Sequence, residues 1–524
     1  MKRSSRVALL LLPSAAVVLL LLLPMLRLAA EGGGESFYES FLAVWQDDFL
    51  KWRLAWSFAQ AVVTCVLALI FGLPVAWVLA RFEFPGRQLV LRLLMLPFVV
   101  PTLVAALGVL ALWGPQGVLS QWLGIDLQDT PWLLLYGNLF FNLCLVIRAG
   151  VDALGQVNAH CVAASRSLGA TPWRAFWRVE WPVIAPWLTS SLCLVFLYCF
   201  TGFGLALVLG GQRYATVEVE IYTLVAYELK LAQASSLALW MLVLTGLVAL
   251  AYAYVEKRLS VSTRLHPVAL RHPKTALNWL AVFGSMVVLC FFCAAPILAI
   301  VWRALLADSQ AWTALFDAET LHALWNTLRF SAVALLIATV LGVAHALGTQ
   351  GSVAWRAAAY LPLIASPVTV AFGLLLLYPA WTASLALLIA AYAVLAYPFV
   401  AKAMTAGLGS LPDNLSQVAR TLGASPLRTF WRVTLPLLSP ALRRGMAFAA
   451  ATALGEFAVT LFLSRPEWTT LTTLIYQRLG KPGAVNVDTA MLLACLLMLL
   501  SVLVFVVIDS PRKYDNESGR TITL

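Results

Sequence analysis

Arg166–Pro186 reads RSLGATPWRAFWRVEWPVIAP, and Arg420–Pro440, 254 positions later, reads RTLGASPLRTFWRVTLPLLSP. Twelve of the 21 positions are identical, including the glycine, two interior arginines, the Phe-Trp pair and both outer prolines. Each copy lies between strongly apolar segments and carries several positive charges. A duplicated basic loop in a largely apolar chain implies that each copy meets the same partner.

Working outward, composition sets the class. The chain has 524 residues, 62% of them hydrophobic and 11% charged, and its mean hydropathy is +0.88, well outside the range of soluble domains. Apolar stretches long enough to cross a bilayer recur throughout. Twelve are expected, at 7–28, 57–80, 88–113, 131–150, 186–209, 236–255, 277–302, 325–347, 355–378, 381–402, 441–463 and 488–509. The first follows Lys2, Arg3 and Arg6 but is too long for a signal-peptide core and has no clean cleavage site after it, so it reads as a retained anchor.

Charge orients these spans. With the N-terminus inside, the cytoplasmic segments hold 25 of the 35 Lys and Arg and 8 of the 24 Asp and Glu. Basic residues concentrate on the cytoplasmic side, so both termini are expected there. The net charge of +11 is then a signature of topology, and no nucleic-acid partner is inferred from it. Cys290 and Cys293 form a CxxC, but inside an apolar span with no second ligand pair, so no metal site is expected.

The repeat extends beyond the loop. At the same offset Arg148 meets Lys402, Phe203 meets Phe457, Thr216 meets Thr470, and Ile221-Tyr222 meet Ile475-Tyr476. The fold expected is an all-α polytopic membrane protein with about 12 transmembrane helices in two parallel six-helix repeats. Residues 1–259 form the first half, 260–276 a basic cytoplasmic linker and 277–524 the second half. Parallel repeats imply a two-fold pseudo-axis along the membrane normal and a pathway between the halves.

Read residue by residue, the first loop is a helix of about 155–168 that stops at Gly169, where glycine can adopt the left-handed conformation that ends helices. Thr171-Pro172 restarts one, with a hydroxyl cap and proline at the first helical position, and Ser425-Pro426 repeats that chemistry. Trp173, Phe176, Trp177 and Trp181 follow at helical spacing with Arg174 and Arg178 between them, and Pro182 is expected to end the segment. An ordinary interfacial helix with aromatic anchors would need only one such copy.

These loops resemble the cytoplasmic signature of ATP-binding-cassette importer permeases, E-A-A-x-x-x-G followed nine residues later by I-x-L-P. The first copy supplies Ala163-Ala164-Ser165, Gly169 and Val179-Glu180-Trp181-Pro182. The second supplies Gln417-Val418-Ala419, Gly423 and Val433-Thr434-Leu435-Pro436. The leading glutamate is absent from both. The resemblance implies an importer permease fold in which each glycine-centred segment docks a cytoplasmic ATPase subunit, two in all. The implied docking residues are Ala163, Ala164, Arg166, Gly169, Ala170, Pro172 and Pro182 in one copy. In the other they are Gln417, Ala419, Arg420, Gly423, Ala424, Pro426 and Pro436.

Val44-Trp45-Gln46-Asp47-Asp48, Phe84-Pro85-Gly86-Arg87, Val179-Glu180-Trp181-Pro182, Leu209-Gly210-Gly211 and Ala215–Tyr222 are similar, in order, to fused permeases that import thiamine and thiamine pyrophosphate. Fused ferric-iron permeases share the architecture and a Gly-Glu-Phe like Gly455-Glu456-Phe457. What the thiamine resemblance implies is a bacterial inner-membrane subunit served by a periplasmic thiamine-binding protein. The chain has no GxxxxGK[ST] motif, so no cofactor is expected on it; ATP and Mg would be used by the partner ATPase. A secondary transporter of the 6+6 type is the rival from another class, and it would show ionisable groups within the membrane for ion coupling. Glu456 is the one suggestive residue. It is a candidate for the substrate pathway with Phe203 and Phe457, whose rings could face a cation, or else a carboxylate capping helices at the outer end.

Overall fold

The computed structural model describes residues 3–33, 41–42, 44–258, 268–349, 355, 358–359, 361–382, 384–463 and 465–510. Among these the chain is helical, with one isolated backbone bridge between Phe82 and Arg271. Ten helices are long and apolar enough to cross a membrane, from Leu9–Glu31 to Ala484–Asp509. The two other expected spans differ. Pro367–Leu377 is a shorter apolar helix, preceded by residues of 350–360 that lie largely outside the described set. Leu435–Leu454 is long enough, but Arg443 and Arg444 lower its hydropathy. The turn expected at Pro379 is a short helical turn, Pro379–Trp381.

The compact units do not follow the sequence halves. One comprises residues 29–308 and the other 1–28 with 309–524. The first helix of each half therefore belongs to the same compact unit as the helices of the opposite half. Local contacts explain the assignment. In the second unit Tyr378 Oη donates to the Leu19 carbonyl at 3.0 Å, and Gly373 lets Pro24 approach closely. In the first, Phe292 packs on Phe71 and Tyr136 with ring centroids 5.0 and 5.5 Å apart. Most of the expected 260–276 linker lies outside the described residues.

Each unit is built on the same helix pair. Asp48–Arg81 crosses Pro131–Leu154 at Gly72, where a Cβ would meet Val146 Cγ1 at 3.2 Å; Ala318–Gly348 crosses Leu385–Ser410 at Gly342, where a Cβ would lie 2.6 Å from Val400 Cβ. Val146 and Val400 are themselves 254 positions apart. Lipid supplies no hydrophobic drive between spans, so such close backbone approach and interhelical hydrogen bonds hold them. Gln60 supplies the latter, donating from Nε2 to the Cys199 carbonyl at 2.8 Å and accepting from Asn138 Nδ2 at 2.6 Å.

Trp181–Phe200 and Leu435–Leu454 are followed by breaks at Thr201–Phe203 and Gly455–Phe457, then by the short helices Gly204–Leu209 and Ala458–Leu463. The expected continuous spans 186–209 and 441–463 are thus each interrupted at the same repeat position. Beyond each break an outer helix is pinned by a hydroxyl: Val217 N donates to Ser57 Oγ and Leu471 N to Thr327 Oγ1, both at 2.8 Å. The pattern is shared although the pinning residues differ.

Candidate docking site

Ala159–Ser167 and Asp413–Thr421 lead into the two loops. The first is shorter than the expected 155–168, because Gly155 closes the preceding helix and the Asn158 side chain caps a new one at His160 N. Both lead-in helices end on a glycine in the left-handed region, Gly169 at φ 84° and Gly423 at φ 80°. The Ala170 N–H then reaches back to the Ser165 carbonyl, and the Ala424 N–H to the Ala419 carbonyl, each at 3.0 Å. This six-to-one bond is the closure that a glycine after the last helical turn permits. Thr171 Oγ1 accepts from Arg174 N and Ser425 Oγ from Arg428 N, both at 3.3 Å.

The segment does not end at Pro182, as the sequence suggested, but continues through a widened turn. Pro182 and Pro436 have no N–H to continue the α-helical ladder, and Trp181 N instead bonds to Phe176 O, five residues back, as Leu435 N does to Phe430 O. A single widened turn, Phe176–Glu180 or Phe430–Thr434, joins each short capped helix, Pro172–Ala175 or Pro426–Thr429, to the long helix that follows without a break. Such turns recur at functional sites. Trp173, Trp177 and Trp181 form a column with ring centroids 5.5 and 5.1 Å apart.

Ala163, Ala164, Arg166, Gly169, Pro172 and Pro182 are exposed and Ala170 half-buried, all on one loop. On the other, Gln417, Gly423 and Pro436 are exposed, Ala424 is half-buried and Ala419 buried; the side chains of Arg420 and Pro426 lie outside the described residues. Sequence reasoning missed the most prominent side chains. Leu168 and Leu422, one residue before each glycine, are 89% and 82% exposed. An apolar residue repeated beside a turn glycine was the available signal.

Two further groups escaped the sequence reading. At the base of the first loop, Arg81 and Glu180 form a buried ion pair at 2.9 Å. At the other end of the same helix the buried Arg53 guanidinium bonds Glu220 Oε2 at 3.1 Å and the carbonyls of Gln212, Arg213 and Ala215 at 2.8, 3.1 and 3.3 Å. Burial pushes the Glu220 carboxyl above its usual range, and the opposite charge of Arg53 pulls it partly back.

Glu456 and Phe457 lie in one unit and Phe203 in the other, and all three are buried. The rings keep the repeat: Phe203 meets Tyr222 at 5.6 Å and Phe457 meets Tyr476 at 5.4 Å. Glu456 Oε1 accepts from Val459 N at 3.1 Å, capping Ala458–Leu463, while its main-chain carbonyl accepts from Thr472 Oγ1 at 3.1 Å. A glutamine keeps that acceptor oxygen. Glu456→Gln is therefore expected to unfold in detergent within a few degrees of the wild type, and Glu456→Ala to lose about 1 kcal/mol, the usual worth of a cap. Thermal unfolding measured on both variants checks this; a Gln variant as weak as the Ala variant would mean that the charge, not the cap, holds the site.

Among the described residues no cluster of His, Cys, Asp or Glu could hold a metal ion. The duplicated loop, the paired helical cores and the interrupted spans define an integral-membrane transport subunit. The chain belongs to the family of binding-protein-dependent transport system inner membrane components, whose pattern matches residues 68–261 and again 274–510. It is 29% identical over 503 residues to the thiamine transport system permease protein ThiP of Escherichia coli (strain K12), covering 90% of this chain and 91% of that protein. With the protein of the same description from Haemophilus influenzae it shares 28% identity over 515 residues, 93% of each chain. A probable sulfate transport system permease protein of Marchantia polymorpha matches more narrowly, at 33% over 143 residues, 27% of this chain and 50% of its own length.

Proposed function

We propose that this chain is the translocation subunit of an ATP-binding-cassette importer for thiamine, its phosphate esters or both. Two cytoplasmic ATPase subunits dock on it, one at Gly169 and one at Gly423. They hydrolyse ATP with Mg, and a periplasmic thiamine-binding protein delivers the substrate. The observation that carries the reading is the duplicated turn: two glycine-closed, hydroxyl-capped loops of one geometry, each running through a widened turn into a span. Similarity to thiamine permeases over nine-tenths of the chain supplies the substrate. Closure of the ATPase pair would draw the loops together and alternate access by rigid-body motion.

The test is uptake of labelled thiamine into vesicles holding this chain, with and without the candidate ATPase and binding protein. Uptake that requires both and ATP supports the reading. Uptake by the chain alone under an ion gradient would make it a secondary carrier, and ferric-iron uptake in place of thiamine would reassign the cargo. Glu456, Phe203 and Phe457 are proposed contacts for the thiazolium charge, tested in the same assay by uptake through Glu456→Gln.

Both termini are placed in the cytoplasm on the charge bias. A reporter fused after Lys274 is expected to read cytoplasmic and one within Asp126–Thr130 periplasmic. Alkaline phosphatase activity at the first point, or its absence at the second, would overturn the orientation.

A further inference from the structure

The Arg81–Glu180 pair joins the end of one span to the turn that leads out of the first candidate docking loop. Arg81 is the last residue of the Asp48–Arg81 helix, where a cation also complements the helix dipole. Glu180 closes the widened turn between the first docking helix and its span. The two side chains meet at 2.9 Å, each only 10% exposed. Few charges are buried so fully without a partner or a task.

The same point is held a second way. Arg271, in the connection between the halves, donates its N–H to the Arg81 carbonyl at 2.9 Å and accepts from Glu83 N at 2.9 Å. Phe82 lies between these bonds and packs edge-on against Trp77, with centroids 5.6 Å apart. The end of the span is thus clamped by backbone on one side and by charge on the other. At the Glu180 position of the second loop stands Thr434, half-buried and uncharged.

We propose that Arg81 and Glu180 are positioning residues, a brace through which the first docking loop drives the Asp48–Arg81 span, and that the second loop has no such charge pair at Thr434. Neither residue needs to touch the ATPase. The pair ties the end of the widened turn to the end of the Asp48–Arg81 helix, so that a displacement of the loop becomes a displacement of the helix. The two loops, alike in their turns, then differ in how stiffly they are tied to the pathway.

The inference rests on the docking reading, and the experiment separates the two. The complex of this chain with its ATPase and binding protein is reconstituted in vesicles, and thiamine taken up per ATP hydrolysed is measured for Arg81→Met, Glu180→Gln and the exchanged pair Arg81→Glu/Glu180→Arg. The single variants should retain the ATPase at the wild-type ratio and continue to hydrolyse ATP, while uptake per ATP falls about tenfold, a typical size for coupling between sites. The exchanged pair should recover most of that loss, which a merely structural role would not do. If the single variants fail to accumulate, Arg81→Met/Glu180→Leu leaves no lone buried charge and decides the matter by the same ratio. Wild-type coupling in either single variant or in Arg81→Met/Glu180→Leu, or an exchanged pair as poor as the singles, overturns the brace. A wild-type chain that retains no ATPase overturns the docking reading instead.

Discussion

Replacing Gly169 and Gly423 together by valine is expected to abolish ATP-driven uptake while leaving the protein inserted and folded. Both residues sit at φ near +80°, a region that costs an L-residue about 1–2 kcal/mol and a β-branched one more. Nothing lies within 4 Å of a Cβ at either site, so the penalty is one of backbone conformation and not of packing. A penalty of that size lowers the population of each native turn by about 5- to 30-fold. Alanine at the same positions should give a milder loss. Quantitative uptake with parallel co-purification of the ATPase measures both effects; normal association and uptake in the double valine variant would remove the docking assignment.

Arg53→Met is expected to be the most destabilising single change at the N-terminal end of the Asp48–Arg81 helix. It leaves Glu220 buried without its cation, at a cost of about 3–5 kcal/mol, and removes the donors that hold the carbonyls of Gln212, Arg213 and Ala215 in one loop. Arg53→Met/Glu220→Leu should recover part of the loss, but not all, because those carbonyls remain without a guanidinium. The sign of the pH dependence follows from Glu220. With Arg53 gone its lowering charge is lost, while burial and the like charges of Glu228 and Asp47 still act, so the carboxyl rises further above its ordinary range. The folded state then prefers the protonated form, and stability present at low pH is lost as pH rises through the raised value. Thermal unfolding measured from mildly acidic to mildly basic pH should show the single variant's deficit widening with pH and the double variant's staying flat.

The repeat was legible because its most constrained residues are short-range. A left-handed glycine, a hydroxyl cap and a proline each dictate local backbone, so RSLGATP and RTLGASP spell the same turn from neighbouring residues alone. The long apolar helices were legible for the same reason. Arg81 and Glu180 were not, being 99 residues apart: in sequence Arg81 reads only as one more cytoplasmic cation. Arg53 and Glu220 escaped in the same way, since they meet across 167 residues. Pro182 misled in a different manner. A proline normally stops a helix, yet one widened turn lets the chain bend and continue, which depends on where the following span must go. Glu456 was visible as an isolated carboxylate, but its bond to Val459 N became visible only with the break at Gly455.

The exchange of first helices also sets an order of assembly. Chains emerge from the ribosome N-terminus first, and units fold when their parts are available. The unit of residues 29–308 can close once Leu305 has been made, so it forms midway through synthesis. Residues 1–28 belong with 309–524 and, made before them, must wait for partners that appear later. The leading helix is therefore inserted as an orphan and stays one for most of translation. Cutting the gene at the linker would not yield two self-sufficient proteins: each fragment would carry a helix that fits the other product and lack one that fits its own.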